Sequence, residues 1–288
     1  MADNIKIVRT ERTLRGRVWE WRGAGQTIAF VPTMGALHEG HLSLVRLARK
    51  KADKVIVSIF VNPAQFTPDE DFSSYPRTQK TDIALLQGVG ADMVYIPKPG
   101  AMYGPGHSTE VKVGGVANGL ETDHRPSFFD GVALVVTKLL NRVVPDIAIF
   151  GEKDYQQLAT IRRLVIDLDM PVKIIGAKIA RDAHGLALSS RNEYLSEDAL
   201  PIARRLNEIM RAAASQIATG KPIKNQLRIC SDALMAAGFS AIDYVSLVNA
   251  ESLELIGTKT LDQPARLLVA VHCKGVRLID NCAVKPKS

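Results

Sequence analysis

Pro32-Thr33-Met34-Gly35-Ala36-Leu37-His38-Glu39-Gly40-His41 decides how this chain is read. An apolar run over 27–31 leads into it, and Leu42, Leu44, Val45, Leu47 and Ala48 follow at helical spacing, so the decapeptide lies where a strand hands over to a helix. The first turn of a helix has unpaired N–H groups and a partial positive charge, which is where folds of this kind hold phosphates. Two imidazoles at the same place can donate to charge building up on a phosphoryl oxygen. Gly40, between them, leaves the backbone open to close approach. The stretch implies nucleotide chemistry.

Outward from this junction, apolar runs at 27–31, 55–61, 93–96, 147–150 and 172–177 read as strands, several of them apolar on both sides of the period. Helical patterns fall between them at about 42–51, 78–88, 132–143 and 155–168. That alternation predicts an α/β fold with a doubly wound, Rossmann-like parallel sheet covered on both faces. After Asn192 the pattern changes to two long helices, 197–218 ended by Gly220 and Pro222, and 223–237 ended by Gly238. Short strands near 244–248, 267–272 and 275–279 follow. The expectation is a nucleotide-binding domain over 1–180 and a smaller C-terminal α+β domain over 181–288.

The 288 residues are 46% apolar and 23% charged, an ordinary globular mix with room for two domains. A net charge of +7 attracts anions. The basic residues are scattered, as in Arg9, Arg12, Arg15 and Arg17 or Arg46, Arg49, Lys50 and Lys51, without the interleaved aromatics of a nucleic-acid platform, so phosphorylated metabolites are the expected partners and nucleic acid is not. Cys230, Cys273 and Cys282 are far apart and form no Cys-x-x-Cys arrangement, which argues against a disulfide framework or a thiolate zinc site. Residues 1–10 lack a long apolar core and no window is apolar enough to span a bilayer. A soluble, cytoplasmic protein without membrane partners is expected.

Four segments carry candidate chemistry. His38 and His41 are spaced i, i+3, which is not the i, i+4 of a His-Glu-x-x-His zinc site, and no third ligand is evident. Ser58-Ile59-Phe60-Val61-Asn62-Pro63-Ala64-Gln65-Phe66 ends a strand in a proline-fixed loop. The amides of Asn62 and Gln65 suit recognition of a hydroxyl or carboxylate, or else a capped turn. Phe150-Gly151-Glu152-Lys153-Asp154-Tyr155-Gln156-Gln157 again joins a strand to a helix, with Lys153 placed for a phosphate and Asp154 for ribose hydroxyls or for a helix cap. Ala187-Leu188-Ser189-Ser190-Arg191-Asn192 sets two hydroxyls beside a guanidinium, as a loop closing on a triphosphate needs, or as a turn leading into a helix. Three of the four lie beyond the carboxyl ends of expected parallel strands, the side that forms the ligand crevice in open α/β sheets.

These motifs, with Tyr75-Pro76-Arg77-Thr78 and the closing Arg277-Leu278-Ile279-Asp280-Asn281, resemble the pantothenate synthetase (pantoate–β-alanine ligase) family of the nucleotidylyltransferase superfamily. The resemblance implies an acid–amine ligase that makes pantothenate in two steps. ATP and pantoate, with Mg²⁺, give pantoyl adenylate and pyrophosphate; the amine of β-alanine then attacks the mixed anhydride and releases AMP. It further implies that residues 34–41 and 151–154, the backbone around Ala180 and residues 188–191 bind ATP, with His41 as proton donor and His38, Lys153 and Arg191 in the catalytic set. Gln65 and Gln157 would hold pantoate, with Asn62 and Arg125 beside the substrates and Gln65 also facing β-alanine. Asp82 matches a position linked to the metal, and relatives are commonly homodimers. Phe128 stands where many relatives have histidine, and Thr81 where an acidic residue is frequent. Another nucleotidylyltransferase, for instance one that attaches AMP to phosphopantetheine or CMP to a polyol phosphate, would share the histidine element without needing the Gln65 and Gln157 pair.

Overall fold

The structure, a computed structural model, describes residues 5–66, 72–73, 75–257 and 259–286. It opens with β1 (Lys6–Val8) and α1 (Glu11–Gly23), neither of which the hydrophobic pattern announces. Three residues are too few to show a period. In α1 only Leu14, Val18 and Trp21 are buried, an i, i+4, i+7 stripe diluted by arginines, glutamates and glycines. Thr10 starts the helix by accepting from the Thr13 N–H at 3.2 Å.

Next come β2 (Ile28–Thr33), α2 (Glu39–Arg49), β3 (Lys54–Ile59), α3 (Gln79–Gly88), β4 (Met93–Tyr95), the short α4 (Pro99–Met102) and α5 (Glu121–His124), α6 (Phe128–Val143), β5 (Ile147–Gly151), α7 (Tyr155–Asp167) and β6 (Lys173–Ala177). The six strands form one parallel sheet in the order β1-β4-β3-β2-β5-β6. Ile28, Ala29, Phe30 and Val31 are wholly buried, as a central strand with both faces covered must be. One face packs Leu14 and Val18 of α1, Val132, Val136 and Leu139 of α6 and Leu158 and Ile161 of α7. The other packs Leu44, Val45 and Ala48 of α2 with Leu86 of α3. Helices on both faces make the sheet doubly wound. The strand order reverses between β2 and β5, which pair through Ala29 with Ile147 and Phe30 with Ala148, and the turns after these two strands open at that switch point.

The last third holds α8 (Leu200–Ala218), α9 (Ile223–Ala236) and an antiparallel sheet of β7 (Ala241–Asn249), β8 (Ala265–Cys273) and β9 (Val276–Val284). Pro201 sits in the first turn of α8, where its missing N–H costs nothing, and the helix starts later than the sequence pattern suggests. β7 and β9 also run longer than their apolar cores: Arg277, Asp280 and Asn281 are polar yet stay inside the ladder of β9, and Asp243 sits at a bulge in β7. Lys274 and Gly275, at φ 49° and 85°, form the two-residue turn between β8 and β9. Val269, Val271 and Leu278 pack with Leu206, Met210 and Leu234 of the helices in a core of their own. By its contacts the chain forms two compact units, Met1–Glu152 with Gln157–Lys178 and Lys153–Gln156 with Ile179–Ser288. Among the described residues no helix is long and apolar enough to cross a membrane.

Gly131 of α6 is the tightest approach in the first unit. A Cβ there would lie 2.0 Å from the Ala64 carbonyl oxygen and 2.8 Å from the Gln65 nitrogen. Gly131→Ala therefore drives helix and turn apart. It is expected to lower stability by about 1–3 kcal/mol, as overpacking does, in a urea melt that leaves the far-ultraviolet dichroism of the folded state unchanged.

Candidate active site

The quoted decapeptide folds as a histidine cap. His38 is the N-cap of α2, in extended conformation, and its Nδ1 accepts from the Gly40 N–H at 3.1 Å. His41, at the third helical position, returns the contact, its Nδ1 accepting from the His38 N–H at 3.4 Å. This is the logic of a capping box with imidazoles in place of hydroxyl and carboxylate. An Nδ1 that accepts carries no hydrogen, so both neutral rings keep theirs on Nε2. The ring centroids are 4.1 Å apart. Two Nε2–H donors are thus held together at a positive helix end.

The turn before the cap is tied from below. Asp82, on α3 and buried, accepts from the Leu37 N–H at 2.9 Å, the Ala36 N–H at 3.2 Å and the Thr78 hydroxyl at 3.1 Å. A Cβ on Gly35 would lie 3.1 Å from Asp82 Oδ2, and its φ of +88° is a conformation that disfavours any side chain. Asp82 thus has a structural task in this turn. Among the described residues no group of three or more His, Cys, Asp or Glu side chains is placed to hold a metal. Glu39 faces away from the cap and pairs with Arg46 on the exposed side of α2, a contact that lowers its pKa.

A second cluster gathers around the turn Pro63–Gln65. Asn62, buried, caps it through Oδ1, which accepts from the Ala64 N–H and from the Tyr103 hydroxyl at 2.6 Å. Its Nδ2 donates to the Gly131 carbonyl at 3.0 Å and to Gln65 Oε1 at 3.1 Å. All of the Asn62 amide is thereby engaged inside the protein, so its work is to orient its neighbour. With Oε1 held, Gln65 presents Nε2, which lies 3.0 Å from Met34 Sδ. Burial pushes Tyr103 up to about 12, which keeps it a hydroxyl donor at any physiological pH. Arg125 approaches the Gln65 carbonyl and stacks on Phe128, its guanidinium carbon 3.7 Å from the ring centroid. Phe128 thus serves as a platform for the cation.

The second unit carries Lys153, Asp154 and the candidates of 180–191. Lys153 sits beside Asp154, Nζ to Oδ1 at 3.9 Å, and its own carbonyl accepts from Asn281 Nδ2 at 2.8 Å. Arg181 makes a two-pronged pair with buried Asp280 at 2.6 and 2.8 Å and bonds the Gly185 carbonyl. The Leu188 N–H donates to the Ala180 carbonyl, so 180–188 closes as a hairpin. It delivers Ser189, which caps the single-turn helix Ser190–Tyr194 by accepting from the Arg191 N–H.

The model of the family described as pantoate-beta-alanine ligase matches residues 6–283. The pantothenate synthetase of Mesorhizobium japonicum is 52% identical over 279 residues, 97% of this chain and 98% of its own length. That of Caulobacter vibrioides is 51% identical over 96% of this chain and 98% of its own. The chain belongs to the pantoate–β-alanine ligase family. The crystal structure of the Thermus thermophilus pantothenate synthetase superposes with a TM-score of 0.92 at 41% identity, covering 98% of this chain and all of that one. The Francisella tularensis ligase, crystallised with beta-gamma ATP and β-alanine, superposes with a TM-score of 0.79 at 34% identity over 96% and 97% of the two chains.

Membership makes the chain a ligase that condenses pantoate with β-alanine at the expense of ATP, through pantoyl adenylate, releasing AMP and pyrophosphate. Of the expected site residues, His38, His41, Met34 and Gln65 lie with Asn62 and Arg125 in the first unit, as does half-buried Gln157 on α7. Lys153, Asp154, Ala180, Leu188, Ser189, Ser190 and Arg191 lie in the second, whereas Gly151 and Glu152 stay with the sheet. The sequence reading did not single out Tyr103, Arg181, Asp280 as a partner of Arg181, or Asn281 as a partner of Lys153. Only the closing motif Arg277-Leu278-Ile279-Asp280-Asn281, quoted for the family resemblance, included any of them.

Asp82→Asn replaces an acceptor-only group with an amide that must point its NH₂ at one of three donors. A loss of about 1–3 kcal/mol is expected from the unmet contact, read by thermal unfolding, together with a raised KM for ATP and an unaltered KM for β-alanine.

Proposed function

We propose that in this ligase residues 34–41 and 151–154, the Ala180 backbone and residues 188–191 hold ATP, and that the imidazoles of His38 and His41 donate through Nε2 to its phosphates. The reciprocal cap is the observation that carries this reading, because with both Nδ1 atoms accepting, each ring offers its hydrogen at Nε2. His41, expected from the resemblance as the proton donor, acts here as a hydrogen-bond donor through Nε2, since a neutral imidazole does not give up that proton. Lys153, Ser189, Ser190 and Arg191 offset the charge of the departing pyrophosphate.

Pantoate needs activation because its carboxylate would otherwise have to expel oxide. One carboxylate oxygen attacks the α-phosphorus in line, the bond to the β,γ-pyrophosphate breaks, and AMP becomes the leaving group of a mixed anhydride. Gln65 and Gln157 hold pantoate. Asn62 acts on it through Gln65, and Arg125 meets a carboxylate. In the second step the β-alanine amine attacks the acyl carbon, loses a proton and displaces AMP. The smaller unit acts as a lid that keeps water from the acyl adenylate.

Mg²⁺ brought with ATP would supply charge neutralisation at the phosphates. The three donors on Asp82 fit a tie for the phosphate turn and not a direct metal ligand. The cytoplasm and a homodimer complete the reading; the three cysteines form no disulfide, which suits a reducing compartment. Sedimentation tests the dimer.

Incubation with ATP, Mg²⁺, pantoate and β-alanine should yield AMP and pantothenate, and no pantothenate when β-alanine is omitted. Lys153→Ala should slow pyrophosphate release by orders of magnitude, about 10²-fold or more, with the thermal midpoint unchanged; a normal rate would contradict the role. Gln65→Ala should raise the KM for pantoate by about tenfold, the worth of one hydrogen bond to a charged group, and an effect confined to ATP would count against it.

A further inference from the structure

Lys153 follows β5 in the chain, yet its backbone is held from elsewhere. Glu152 is the last residue tied to the parallel sheet, its N–H donating to the Ala177 carbonyl at 2.8 Å. Residues 153–156 then belong by contact to the C-terminal unit. Asn281 of β9, only 2% exposed, donates from Nδ2 to the Lys153 carbonyl at 2.8 Å and accepts at Oδ1 from Arg266 Nε at 2.7 Å. The Arg266 guanidinium lies over the Tyr155 ring, 4.2 Å from its centroid, and the Tyr155 hydroxyl donates to the Ala250 carbonyl at 2.8 Å. Arginine only donates and a carbonyl only accepts, so the Asn281 amide has one permitted orientation. Its neighbour Asp280 holds Arg181 at the root of the hairpin that ends in Ser189 and Arg191, and accepts the Asn281 N–H at 2.7 Å.

We propose that Asn281 is a positioning residue for Lys153: its amide fixes the lysine's backbone to the same strand that, through Asp280, fixes the loop bearing Ser189, Ser190 and Arg191. The proposal rests on the reading of Lys153 as a phosphate ligand. Two consecutive residues of β9 thereby set the spacing between the two cationic parts of the pyrophosphate grip. Asparagine is required because the position needs a donor toward one neighbour and an acceptor toward the other. A shift of the lysine by about 1 Å is enough to cost on the order of a hundredfold in a reaction that depends on placed charge.

The two half-reactions separate positioning from general damage. Pyrophosphate formation from ATP and pantoate uses the grip, whereas conversion of supplied pantoyl adenylate and β-alanine to pantothenate does not. Asn281→Ala should slow the first by about ten- to a hundredfold in kcat and leave the second within about twofold. Asn281→Asp, which keeps the shape and the Arg266 contact but turns an acceptor toward the Lys153 carbonyl, should show the same split, and it carries the test if the alanine variant does not fold. Adding Asn281→Ala to Lys153→Ala should slow pyrophosphate formation no further, because both act through one group. Equal loss in both half-reactions, a wild-type first half-reaction, or additive effects in the double variant would overturn the proposal. Lys153→Ala alone with a normal first half-reaction would instead remove the phosphate role of Lys153, and the positioning role with it.

Discussion

A parallel strand that ends in the middle of a sheet must pass its chain to a helix without leaving that helix's first N–H groups unpaired. At the end of β2 this is done by two histidines that cap each other. The rest of the first unit serves that arrangement. Asp82 reaches from α3 to hold the turn, Gly35 provides the one backbone conformation that lets it pass, and the reversal of strand order between β2 and β5 opens space beside it. The same contacts that complete the helix set the tautomer of both rings. One pair of hydrogen bonds thus completes the helix start and orients both rings.

The second cluster works on the same principle with an amide. Asn62 spends all its hydrogen-bonding capacity inside the protein, on Ala64, Tyr103, Gly131 and Gln65. The result is that Gln65 has a defined face. In the C-terminal unit Asn281 stands in an equivalent relation to Lys153. In both places a buried asparagine, able to donate and accept at once, fixes a neighbouring residue through its amide.

Much of the fold was legible because its signals are local. Apolar runs covered on both faces marked β2, β3 and β5, and helical spacing marked α2, α6 and α7. β1 and α1 were not legible: a three-residue strand has no period, and α1 buries only three side chains. The C-terminal strands were found but cut short, since Asp280 and Asn281 look like turn residues until their partners Arg181 and Lys153, 99 and 128 positions away, are known. Phe128 looked like a mere departure from the family's pattern. In the fold it supports Arg125.

Composition, period and motif order were enough to determine the α/β class, the family and the chemistry, because a strand-to-helix junction bearing His-x-x-His declares itself within ten residues. Tertiary structure decided what each residue does there: that the histidines cap each other, that Asp82 binds backbone, that Asn62 faces inward, and that Lys153 is held by β9. Those assignments depend on which buried donors meet which acceptors across long stretches of chain, and a hydrogen bond between distant residues leaves no periodic trace in the sequence.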